Sequence, residues 1–238
     1  MAVITPWVPD PMADICESTP MEIGIFGGTG SAGSALGTRL ASVGYDVILG
    51  SRSPERAQAA ADEIVAEHPE LSGRIRGGDN HAAASAEVVV IATPWDSAAT
   101  TARENESVLR GKVVISMANA LVRVGSEFQP LVPPRGSVAA HVSAAVPNCR
   151  VVAAMHHLPA KELGHIDRPI DSDVLICSDS PEATRIASEI VGRIPGCRPL
   201  DAGELSNAMA IEAFTAVLLQ LNVKYRTRVA PRLTGIRD

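Results

Sequence analysis

The feature that most constrains this chain is Gly28-Thr29-Gly30-Ser31-Ala32-Gly33, a GxGxxG run lying between an apolar stretch and a helical pattern. The pattern alone is a weak signal, because glycine is common in turns; its context carries the weight. Residues 21–26 read as a buried strand leading into the loop, and residues 31–43 read as a helix opening inside it. Gly44 suits the C′ position of that helix, and residues 45–49 read as a second buried strand. In such a unit Gly28 is expected to allow the tight turn and Gly30 to let backbone approach a pyrophosphate. Gly33 is expected to let the helix pack on the strand. The helix N-terminus would then offer unpaired N–H groups and the positive end of its dipole to phosphate. The bland alternative is a glycine-rich turn that binds nothing.

Dinucleotide type is read at the end of the second strand. Chains that hold the ribose 2′-hydroxyl place Asp or Glu there, about 20 residues past the loop. Here the segment is Gly50-Ser51-Arg52-Ser53, with no carboxylate before Glu55. A carboxylate would repel a 2′-phosphate, whereas Arg52 can pair with it bidentately. Thr29 and Ser51 add hydroxyls, and Arg56 is one helical turn from Arg52. NADP is therefore the expected dinucleotide. The competing view has Arg52 simply extending into solvent.

The rest of the chain repeats strand and helix. Helices are expected at residues 54–67, 96–109, 181–193 and 204–226. Strands are expected at residues 73–77, 87–92, 112–116, 150–154 and 174–177. This alternation predicts an α/β fold, a Rossmann-type doubly wound parallel sheet with a small C-terminal α/β domain. Three segments follow: a flexible extension over 1–20, a dinucleotide-binding domain over 21–150, and a smaller domain over 151–238. Thr93-Pro94 would lie at the carboxyl edge, beside the nicotinamide ribose. Equally, that segment could be a plain strand-to-helix turn with Trp95 as a packing residue.

Composition excludes several classes. The net charge of −6 and 3% aromatic content speak against a nucleic-acid surface with stacking platforms. No apolar run reaches the roughly 18 residues of a membrane span. Cys16, Cys149, Cys177 and Cys197 show no CxxC spacing, so no metal site is expected, and reduced thiols in a cytoplasm are the simpler account. The first 20 residues lack the basic start of a secretory signal.

The run Ile23-Gly24-Ile25-Phe26-Gly27-Gly28-Thr29-Gly30 resembles the F420-dependent NADP reductases, together with Gly50-Ser51-Arg52, Thr93-Pro94-Trp95 and residues 198–207 (RPLDAGELSN). The resemblance spans roughly residues 21–236. It implies hydride transfer between NADP(H) and the deazaflavin coenzyme F420 as co-substrate. It also implies NADP contacts at Thr29, Gly30, Ser31, Ala32, Ser51, Arg52 and Arg56. The segment Ala154-Met155-His156-His157-Leu158-Pro159-Ala160 resembles the deazaflavin side, with His156 and Leu158 as contacts and Ala160 near the nicotinamide. Leu233 resembles a leucine that closes the site. Two departures stand out: Met117-Ala118-Asn119-Ala120-Leu121 replaces a Pro-Leu-Val type stretch, and His157 replaces a smaller residue.

Hydride transfer between two heterocycles needs positioning more than acid–base chemistry, so no catalytic residue beyond a suspected His156 is expected. His156 could hydrogen-bond the deazaflavin ring, or could only cap its loop. Asp201 is expected as N-cap of the last helix with Glu204 three residues on, and Asn207 as a contact residue within that helix. The apolar last helix suggests a homodimer. The rival functions are an NADPH-dependent reductase of a flavin, imine or ketone using Lys161 as proton donor, and a non-catalytic NADPH-binding redox sensor.

Overall fold

The computed structural model describes residues 21–236, so the extension expected over 1–20 lies outside the described residues. In chain order the elements are β1 (Glu22–Phe26), α1 (Ser31–Ser42), β2 (Asp46–Ser51), α2 (Pro54–Glu67), β3 (Ile75–Asp79), α3 (Asn80–Ala84) and β4 (Val88–Ile91). Then come α4 (Trp95–Glu104), α5 (Glu106–Leu109), β5 (Val113–Ser116), β6 (Leu121–Val124), β7 (Glu127–Pro130), α6 (Val138–Ala145) and β8 (Arg150–Ala153). The chain ends with α7 (Ala160–Gly164), β9 (Ser172–Ser178), α8 (Pro181–Gly192), β10 (Cys197–Asp201) and α9 (Ala208–Tyr225).

Eight strands form one sheet in the order β10-β9-β8-β5-β4-β1-β2-β3, and β6 and β7 form a separate hairpin. Strands from β3 through β8 run parallel; β9 pairs antiparallel with β8 and parallel with β10. The expected boundary at residue 150 coincides with the start of β8, which pairs with β5, so the sheet continues across it. The order of winding reverses between the parallel strands β1 and β4, which opens a crevice at their carboxyl ends.

Strands buried on both faces read as continuous apolar runs, and their side chains alternate between two cores. Ile23, Ile25, Val88, Val90, Val113 and Ile115 pack beneath α1, α2, α7 and α8. Phe26, Val89, Ile91 and Val114 pack beneath α3, α4, α6 and α9. Proline at the first position of α2 and α8, each behind a serine that caps the helix, explains why those two starts were readable.

Three expectations are corrected. The helix expected over 96–109 breaks at Asn105, whose amide donates back to the Thr101 carbonyl at 2.9 Å. Asp201 does not cap the last helix: it ends β10, and its Oδ1 accepts from the Gly203 N–H at 2.8 Å. Asp179 accepts from the Leu205 N–H at 2.9 Å, at the start of a 3-10 turn over Leu205–Asn207 that precedes α9. Asn207 thus lies before α9 rather than within it, and its amide donates to Ala202 O at 2.7 Å. The hairpin, the edge strand β10 and the helices α3, α6 and α7 had no counterpart in the sequence reading.

Candidate functional site

The glycine loop joins β1 to α1 as the motif requires, but the glycines divide the work differently from the expectation. The left-handed backbone falls on Gly27, at φ +78°, where a Cβ would also meet the Ala92 carbonyl at 2.9 Å. Gly28 is instead pressed against β2. Its N–H donates to Gly50 O at 3.0 Å, and a Cβ would lie 2.8 Å from Leu49 Cα. Gly33 serves the expected close approach, since a Cβ there would stand 2.3 Å from Gly27 O. Gly30 caps α1 without a side-chain bond. The first intrahelical acceptor is Gly30 O, bonded by Ser34 N–H at 2.9 Å. The N–H groups of Ser31, Ala32 and Gly33 therefore sit at the open helix end.

A cavity of about 840 Å³ spreads from this loop across the carboxyl ends of β1, β2 and β4. Thr29, Gly30, Ser51, Arg52, Arg56, Thr93 and Pro94 all line it, so the structure brings these expected site residues to one space. Trp95 packs against the second core. Arg52 and Arg56 are exposed at the start of α2, and among the described residues neither guanidinium is held by a carboxylate. Glu55 does not take the place of a ribose-binding carboxylate. Its Oε2 accepts from the Ser53 hydroxyl at 2.8 Å, and a backbone hydrogen bond, with this contact second, holds its carboxyl below the usual range. Asn80, at the end of β3, and Glu104 also line the cavity, and the sequence reading missed both.

The second cluster lies beyond β8. The ladder extends through Ala154, whose N–H donates to Ser116 O at 3.2 Å, and then turns at Met155, with φ +63°. His156, His157 and Leu158 are buried in this turn, and Ala160 opens α7. The two imidazoles meet edge to face with centroids 5.3 Å apart. Burial, helped by His157, pushes the His156 imidazole down to about 3, so the ring is neutral at ordinary pH. Neither of its nitrogens makes a hydrogen bond of good geometry, the Ala154 backbone giving the ring only a weak contact that burial outweighs. His157 turns its Nε2 to Asp173 O at 2.8 Å, so it fastens the turn to β9.

Asp173 is fully buried at the start of β9 and gathers the C-terminal segment. It pairs bidentately with Arg198, at 2.8 and 2.9 Å, and with Arg232 at 3.1 Å; it also accepts the Leu233 N–H. Because β9 runs antiparallel to β8, its start lies at the carboxyl edge. Leu233 therefore reaches that edge, with its side chain about half exposed. Lys161 is exposed on α7.

Residues 22–120 match the family model described as NADP oxidoreductase, coenzyme F420-dependent. The F420-dependent NADP reductase of Methanocaldococcus jannaschii is 34% identical over 91% of this chain and 97% of its own length. That of Methanothermobacter marburgensis is 36% identical over 92% of this chain and its full length. A solved structure from Arthrobacter sp. FB24, provisionally named an F420-dependent NADP reductase, matches with a TM-score of 0.72. It is 23% identical, covers 87% of this chain and 96% of that one, and bears on the fold alone. The glycine loop, the arginine-lined cavity and this similarity over nine-tenths of the chain agree: the chain belongs to the family of F420-dependent NADP reductases.

Proposed function

We propose that this chain transfers hydride directly between NADP(H), held in the 840 Å³ cavity, and coenzyme F420, held beside the turn after β8. One observation carries the reading. Among the described residues, six buried side-chain atoms lack a partner: Asn80 Oδ1, Thr93 Oγ1, Ser116 Oγ, both ring nitrogens of His156, and His157 Nδ1. All of them sit at the carboxyl ends of β3, β4, β5 and β8. Folded proteins pair the large majority of buried polar groups, so such a concentration fits an edge built to meet polar ligands.

In this reading the open amides of Ser31, Ala32 and Gly33 take the pyrophosphate. Thr29, Ser51, Arg52 and Arg56 take the 2′-phosphate, and Thr93 and Pro94 border the ribose. NADP(H) and F420, when bound, supply the hydride donor and acceptor themselves. The chain orients them and excludes water. Neutral His156 can donate from one nitrogen and accept at the other, so it acts on F420 as a hydrogen-bonding group rather than as a cation. Leu158, Ala160 and Leu233 give that side its apolar wall. Residues 21–150 thus serve NADP(H) and residues 151–238 serve F420.

A homodimer belongs to the same proposal, supported by exposed Met209, Phe214, Val217, Val223 and Tyr225 on α9. So does a cytoplasmic location, with which the free thiols of Cys149, Cys177 and Cys197 are in keeping. No helix among the described residues is long and apolar enough to cross a membrane.

Mixing the protein anaerobically with NADPH and oxidised F420 tests the function. Stoichiometric loss of the F420 visible absorbance is expected. Turnover only with a flavin, imine or ketone would replace this reading with the general reductase, and tight NADPH binding without any transfer would replace it with a sensor.

A further inference from the structure

Asn119 stands just beyond β5, ahead of the hairpin. Its Nδ2 donates to the His156 carbonyl at 2.6 Å, across 37 residues of chain. Its Oδ1 lies 3.4 Å from the Thr215 hydroxyl, which can donate to it from α9. The peptide it grips follows Met155, a non-glycine residue in left-handed backbone at φ +63°. Such a conformation persists only where the surroundings enforce it. On the far side of the turn His157 is tied to Asp173 O, so the turn is pinned from β9 and from Asn119 at once. Between the two pins lies the His156 ring, buried and with both nitrogens unpaired.

We infer that Asn119 is a positioning residue for F420: its amide holds the His156 carbonyl and thereby fixes where the imidazole presents its free nitrogens. Thr215 orients that amide, with its oxygen toward α9 and its nitrogen toward the turn. This inference rests on reading residues 154–160 as the F420 side. The Asn119 amide is engaged by the His156 carbonyl and the Thr215 hydroxyl, and its side chain does not line the arginine cavity.

Two variants separate positioning from mere stabilisation. Asn119→Asp keeps the size but sets a carboxylate against a carbonyl oxygen; Asn119→Ala removes the group. Losing this hydrogen bond is expected to raise the KM for F420 about tenfold. The NADPH Kd should stay unchanged. As pH falls and the introduced carboxyl takes up a proton, it can donate to His156 O, so Asn119→Asp should recover F420 affinity while Asn119→Ala does not. A second measurement needs no F420. In the wild-type protein the His156 ring NMR signals should not titrate between about pH 5 and 8, because the ring is buried. In Asn119→Ala the released ring should titrate near the ordinary histidine value.

The inference is overturned if both variants keep the wild-type F420 KM and the wild-type ring signals. It is equally overturned if NADPH and F420 binding weaken in parallel while the His156 signals stay put, since that marks a general loss of fold. Failure of the wild-type protein to react with F420 would instead sink the proposed function, and the ring signals of the free protein would still decide the part played by Asn119.

Discussion

Arg52 and Arg56 reach the cavity from the open end of α2, and the only nearby carboxylate on that helix turn, Glu55, is occupied by Ser53. A phosphate on the ribose would therefore meet two cations that no carboxylate pairs among the described residues. Hydrogen bonds to charged groups contribute about 1.5–3 kcal/mol, so Arg52→Ala should weaken NADPH binding roughly 10–100-fold. NADH affinity should barely change. Fluorescence titration with both dinucleotides checks this, and an unchanged NADPH to NADH ratio would remove Arg52 from the site. Glu212 makes a different kind of prediction. Its buried carboxylate accepts from Val138 and Ala139 N–H at 2.8 and 3.1 Å, yet burial outweighs these bonds and raises it from 4.5 to about 7. The folded protein then holds a proton that the unfolded chain releases, so stability should fall as pH rises from about 4.5 to 7. The span is on the order of 3 kcal/mol, and Glu212→Gln should flatten it in a plot of Tm against pH. The place of Arg52 at the cavity was readable because it is local: it follows a strand whose end lines the same space as the glycine loop. Asn119, Asp173 and Glu212 were not, because each acts on residues 25 to 96 positions away.

At the scale of elements, α1 does more than present amides to a ligand. Arg39, near its C-terminal end, is fully buried and donates Nε to Leu163 O at 3.0 Å. Its two terminal nitrogens donate to the carbonyls of Glu162, His165, Ile166 and Arg168. One side chain thus satisfies the end of α7 and the loop after it, and α7 begins at Ala160 on the turn proposed to hold F420. Arg39→Met would leave those five carbonyls without this donor, that of buried Leu163 among them, and would break the tie from α1 to α7. Destabilisation of about 3 kcal/mol or more is expected, read as a lowered Tm or denaturant midpoint. Arg39→Lys should recover little, because an ammonium cannot span the same fork of acceptors. The inner strands and α1, α2 and α8 were legible from the sequence, since buried β-branched runs and Ser-Pro starts carry their own signals. The elements that escaped lack such signals. α3 and α7 have five residues each, β10 is an edge strand containing Pro199, and the β6–β7 hairpin leaves its alternating face partly exposed. What organises these is tertiary contact, and the second half of the site depends on them.

For the molecule as a whole, most of the exposed large apolar residues among those described fall on or beside two elements that pack together, α9 and the β6–β7 hairpin, where Gln220 Oε1 accepts from Phe128 N–H at 3.3 Å. Leu233 and Ile236 lie apart in the C-terminal segment. An 18-residue helix is about 27 Å long and 10–12 Å wide, so its outward face offers roughly 300 Å². A standard interface buries about 800 Å² on each partner, so α9 alone falls short. The proposed dimer therefore has to recruit the hairpin, whose neighbourhood exposes Val122, Val124, Leu131 and Val132. The wild-type protein should then sediment at twice 24.9 kDa at micromolar concentration. Val217→Glu on the helix and Val124→Glu on the hairpin should each shift it towards the monomer. If only the helix variant acts, the hairpin is outside the interface; if the wild type is monomeric, the dimer proposal falls. Asn119 ties this surface to the chemistry, because it directly precedes the hairpin and meets Thr215 on the inner side of α9. Separating the protomers should accordingly raise the F420 KM while leaving the NADPH Kd in place, an asymmetry that a remote and purely structural interface would not produce.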